Sequence, residues 1–130
     1  MEIKIGYDYT NNKIITNDPK VINEAEKDIL TRMLSYIQCN PDDLSIVANS
    51  SDYTTLQYKS IDIIRIKYTN NAKWIKIRMS INDMRNEKDN PLFALQNKKN
   101  ESMWKCSIND IGKLYPFINR NIEQFDKVNK

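Results

Sequence analysis

The spacing of apolar and polar positions changes more than once along this chain. Ile22, Ala25, Ile29, Met33 and Ile37 recur three or four residues apart, and Leu30 and Leu34 widen the stripe. That period predicts an amphipathic helix. Asn17-Asp18-Pro19 opens it with a capping side chain followed by proline, and Cys39-Asn40-Pro41 marks its end. Ahead of it, residues 2–9 and 13–16 read as two short strands around the polar Thr10-Asn11-Asn12 turn. Beyond it the period becomes two. Leu44–Ala48, Tyr53–Tyr58, Asp62–Tyr68 and Lys73–Met79 read as strands, and the short polar connections between them imply antiparallel neighbours.

Helical spacing then returns. Ser80-Ile81-Asn82-Asp83 reads as a capping box on a short helix. Pro91–Leu95 predicts one more helical turn, and Met103–Ile108 a last strand. Asn109-Asp110 caps a terminal helix with Ile111, Leu114, Ile118, Ile122 and Phe125 on one face, which Pro116 kinks or restarts. No repeat or linker interrupts residues 1–130, so the chain reads as one α+β domain. Its first part, 1–52, carries the N-terminal strands and helix; 53–127 carries the rest of the sheet and the C-terminal helix. The expected architecture is a mainly antiparallel sheet of about five to six strands, with both helices packed on one face.

Alternation sorts the strand residues into two faces. Ile64, Ile66 and Tyr68 point one way with Ile75, Ile77, Met79, Leu56 and Tyr58. The helices must cover that face, because their own apolar stripes have nothing else to bury against. Ile63, Arg65 and Lys67 point the other way, with Trp74, Lys76, Arg78 and Tyr53, Thr55, Gln57. Lys105 joins them if Trp104 and Cys106 point inward. Cations interleaved with aromatic rings on a sheet can hold a phosphate backbone while bases stack. Lys and Arg stems lying over rings on an ordinary solvated face produce the same pattern. The candidate binding residues are therefore Tyr53, Arg65, Lys67, Trp74, Lys76, Arg78 and Lys105.

Composition narrows the chemistry. Hydrophobic residues make up 40% of the chain and charged ones 28%, which suits a folded domain and not a disordered one. The longest apolar runs are too short to span a membrane, and the N-terminus lacks a signal-peptide pattern, so the expected compartment is the cytoplasm. Net charge is +3, a mild bias that matters only if the cations gather. Cys39 and Cys106 have no partner at metal-ligand spacing, and no histidine occurs. The commonest general base and every imidazole metal ligand are thereby excluded. With glycine only at Gly6 and Gly112, there is no glycine-rich phosphate loop. Neither a cofactor nor a metal is expected.

One enzyme-like spacing stands out. Pro41-Asp42 followed by Gln57-Tyr58-Lys59 resembles the Pro-Asp…(Asp/Glu/Gln)-x-Lys arrangement of restriction-type nucleases. There, acidic or amide ligands hold a divalent ion and the lysine assists the attacking water. By alternation Gln57 and Lys59 share a side, yet Pro-Asp also simply ends a helix and starts a loop. The acidic Asp83, Glu87 and Asp89 lack the glycine turn and ligand ladder of a calcium loop, and read as a solvated helix end.

The residues also resemble an uncharacterised bacterial domain. The likeness covers about 53–125 and runs through Tyr53-Thr54-Thr55-Leu56-Gln57-Tyr58, Arg65-Ile66-Lys67-Tyr68-Thr69 and Ala72-Lys73-Trp74-Ile75-Lys76-Ile77-Arg78. Asn90-Pro91-Leu92-Phe93-Ala94 and Trp104-Lys105 continue it. The resemblance implies a domain that usually ends longer proteins, and it brings no activity. That pattern usually has glycine after the second Tyr, where this chain has Lys59, which weakens the nuclease reading.

Three expectations follow. The first is a binding module, not an enzyme, whose basic face meets nucleic acid or an acidic protein surface. The second is a phage or mobile-element inhibitor of a bacterial defence system, touching its target through exposed Leu92 and Phe93. The third is a metal-dependent nuclease built on Asp42, Gln57 and Lys59.

Overall fold

In a computed structural model, which describes residues 2–8, 13–15, 24–34, 36–40, 43–49, 53–70, 72–93, 95 and 101–128, the alternating segments join one antiparallel sheet. The strands are β1 (Glu2–Asp8), β2 (Lys13–Ile15), β3 (Leu44–Asn49), β4 (Tyr53–Tyr58), β5 (Ile61–Tyr68), β6 (Lys73–Arg78) and β7 (Met103–Cys106). Helices α1 (Glu24–Leu34), α2 (Ile81–Asn86) and α3 (Tyr115–Val128) complete the order. The sheet runs β2-β1-β3-β4-β5-β6-β7. It has seven strands and not five or six, because β1 pairs with β3 (Ile5 opposite Ile46) and carries β2 with it. The predicted helix start at Asn17-Asp18-Pro19 lies outside the described residues, as does Asp42.

Burial follows the apolar face. Ile46, Leu56, Ile64, Ile66, Ile75, Ile77 and Trp104 form one core with Ile29, Leu30 and Met33 of α1 and Phe117, Ile118 and Ile122 of α3. Each such side chain contributes roughly 1.5–3 kcal/mol relative to exposure. Phe93 belongs to this core and not to a contact patch. It is fully buried in a 3-10 turn (Pro91–Phe93), edge-on to Trp104 at 5.2 Å and to Phe117 at 5.3 Å. Leu92 packs against the same cluster, so the 91–93 segment is spent on internal packing; Leu95 beyond it is exposed.

The alternation of β5 breaks at one point. Leu56 stands opposite Ile64, but the next residue of β4, Gln57, stands opposite Asp62. Ile63 is thus an extra residue, a β-bulge, which puts two successive side chains on one side and reverses the phase before it. Ile63 is buried with Ile64, where strict alternation predicts it beside Arg65, and Asp62 moves to the second face. The connection to β4 is the two-residue Lys59-Ser60 turn with φ of 48° and 71°. Two residues at positive φ suit the right-handed twist of a hairpin.

The helix ends match local chemistry with one correction. Ser80 Oγ accepts from the Asp83 amide at 3.1 Å, capping α2 as read from the sequence. The terminal helical region instead starts at Ser107, whose Oγ accepts from the Asn109 amide, so β7 stops at Cys106 and a 3-10 helix runs from Ile108 to Lys113. Pro116 then lies in the first turn of α3, where the missing amide costs nothing, and restarts the helix.

Candidate functional site

The side of the sheet away from the core carries no described helix, since α1, α2 and α3 all contribute to the core on the other side. Strand register arranges its residues. Thr55 stands opposite Arg65, Arg65 opposite Lys76, and Lys76 opposite Lys105. Three cations therefore sit in direct cross-strand succession over β5, β6 and β7. Side chains at such positions leave the backbone only about 4.5–5.5 Å apart, and like charges there repel. Trp104 and Cys106 are fully buried, which turns Lys105 outward as alternation requires.

Aromatic rings lie beside this row. Lys67 stands opposite Trp74, and the Tyr53 and Trp74 rings meet at 6.2 Å, tilted by 48°. The Arg65 guanidinium lies 5.7 Å from the centre of the Tyr53 ring. Lys76 and Lys105 bring their ammonium groups to 5.5 and 5.7 Å from Trp74. Ring quadrupoles attract such cations and offset part of their mutual repulsion. All of these side chains are half-buried: they lean over one another instead of extending into water.

Asp62, brought in by the bulge, is the counter-ion at one end. Its carboxylate accepts from Arg65 at 2.9 Å and from Gln57 at 2.8 Å. Burial alone would raise its pKa, but the hydrogen bonds from Arg65 and Gln57 and the charges of Arg65 and Arg78 bring it below its usual 3.8. The pair therefore stabilises the fold above that range and is lost as pH falls through the depressed value. Among the described residues no carboxylate pairs with Lys76. The buried Thr55 hydroxyl, in the same row, has no hydrogen-bond partner among them.

Arg78 leaves the row. Its Nε donates to the Asp62 carbonyl oxygen at 2.6 Å, and its side chain lines a cleft with Tyr58, Ile63, Ile81, Phe125 and Val128. Burial is the main influence on its guanidinium and lowers its pKa.

Gln57 and Lys59 are drawn to different partners. Gln57 serves Asp62 on the second face, whereas Lys59 donates to Asp126 of α3 at 3.0 Å beside the Tyr58 hydroxyl, which donates to the same carboxylate at 2.8 Å. The left-handed turn swings Lys59 toward the helix side, against the shared side that alternation predicts. Asp83 is not a solvated helix end either. It is buried and accepts from Arg120 Nε at 3.0 and 3.1 Å, tying α2 to α3. Among the described residues no group of three potential metal ligands gathers.

Asp62 is the site residue that simple alternation missed. The signal was present: Ile63-Ile64, two successive apolar residues in a strand of period two, marks a bulge. No protein-family model, curated protein or solved structure matches the chain. Among the described residues no helix is long and apolar enough to cross a membrane.

Proposed function

We propose that the protein is a non-catalytic binding module whose second sheet face takes an anionic partner, a nucleic acid or an acidic protein surface. One observation carries this reading: Arg65, Lys76 and Lys105 stand in direct register on three adjacent strands. Like charges placed so repel one another across the strands, and a bound anion offsets that repulsion. The absence of histidine from the sequence and the separation of Gln57 from Lys59 support a role in contact and not in catalysis.

The test is the affinity for a simple polyanion, heparin, as a function of salt. Binding should weaken steeply as salt rises, because each neutralised charge releases counter-ions. The double substitution Arg65→Glu with Lys76→Glu should abolish it while the fold persists by circular dichroism. Absence of binding at low salt would overturn the proposal.

A further inference from the structure

We infer that the anionic partner is a single-stranded nucleic acid, with bases stacked on Tyr53 and Trp74 and phosphates along Arg65, Lys76 and Lys105. This rests on the reading of the face given above and specifies its ligand. The cations alone would suit any polyanion; the rings narrow the choice. Tyr53 of β4 and Trp74 of β6 lie on either side of Lys67 of β5, and their rings meet at 6.2 Å. Next to this aromatic track runs the cation row, so charge and ring form two lines crossing the same strands. Each ring also has a cationic group within 6 Å of its centre. A base laid on Trp74 would therefore carry its own phosphate into reach of Lys76 or Lys105.

The competing partners use only half of this arrangement. An acidic protein surface engages the cations and leaves two half-buried rings without a planar partner. A duplex keeps its bases stacked inside and presents chiefly phosphate to a sheet face. A single strand offers both charge and unstacked π-faces, the combination met by aromatic platforms in basic grooves.

The experiment compares a labelled oligothymidylate about 12 nucleotides long, within the usual span of such sites, with inorganic polyphosphate, polyglutamate and a duplex. Because Trp104 is fully buried, quenching of tryptophan emission reports on Trp74. The expected result is tightest binding to the oligothymidylate, with quenching. Trp74→Leu should weaken that binding by about 5- to 150-fold, leave polyphosphate affinity unchanged, and be rescued in part by Trp74→Phe. Equal loss for both ligands, or no loss for either, would overturn the inference while leaving the anion-binding reading intact. So would tighter binding to polyglutamate or duplex. Failure of every polyanion to bind at low salt would overturn both. Unchanged thermal unfolding of Trp74→Leu and Trp74→Phe is the control that separates lost stacking from lost fold.

Discussion

The two tryptophans show how differently the two sides of one sheet are built. Trp104 on β7 is fully buried, its indole N–H donates to the Glu101 carbonyl at 2.7 Å, and Phe93 lies edge-on to it. Trp74 on the neighbouring β6 is half-buried, with two lysine ammonium groups near its ring. On the core side, polar groups find partners within the fold: Asp83 with Arg120, and both Tyr58 and Lys59 with Asp126. On the second side, like charges are lined up over three strands, and Arg65 pairs with Asp62. One side is closed by matched partners; the other sets cations side by side.

Substitution of the tryptophans should give the largest contrast. Trp104→Ala is expected to cost about 3–5 kcal/mol in urea unfolding, the range for large aromatic deletions in cores. Trp74→Ala should cost far less, and equal losses would break the distinction between the faces. Ile63 tests where the boundary runs. If the bulge turns it into the core, Ile63→Ala costs about 2–4 kcal/mol by the same measurement; on the second face it would cost little. Asp62→Asn removes the internal competitor for Arg65. It should lower stability by about 0.5–1 kcal/mol and raise polyanion affinity about two- to fivefold at low salt.

The smallest effect concerns Glu26 of α1, buried against the sheet, where it accepts from the Thr54 hydroxyl at 3.2 Å and the Tyr68 amide at 3.4 Å. Burial raises its pKa above the usual 4.5, outweighing these hydrogen bonds and the nearby charge of Lys67. The folded state then holds the proton longer than the unfolded state. Stability from this group is full below 4.5 and declines as pH rises through the raised value. Glu26→Gln should flatten that decline and gain less than about 1 kcal/mol at pH 7, read from urea midpoints across pH 4–8. A mutant that keeps the wild-type pH slope would show that Glu26 is not its source.

Much of this was readable from local pattern. The alternation Trp74, Lys76 against Ile75, Ile77 identified both faces of β6, and the inward Trp104 and Cys106 implied an outward Lys105. Local spacing failed where the phase changed or where partners came from far along the chain. The bulge at Ile63 reversed Asp62, and the left-handed turn redirected Lys59. Arg120 reached Asp83 from 37 residues away, and Phe93, in a short apolar run between polar stretches, proved to be core. Nothing in a period of two or 3.6 encodes such distant pairings.

The cation row also bears on what the sheet will avoid. The described sheet ends at β7, a strand of four residues, and Lys105 stands on it. Short edge strands bearing lysine discourage strand-to-strand addition of a second copy. Two such faces laid against each other would confront Arg65, Lys76 and Lys105 with their own duplicates. The repulsion between two copies of the cation row thus works against pairing through this face, most at low salt and less as ions screen it.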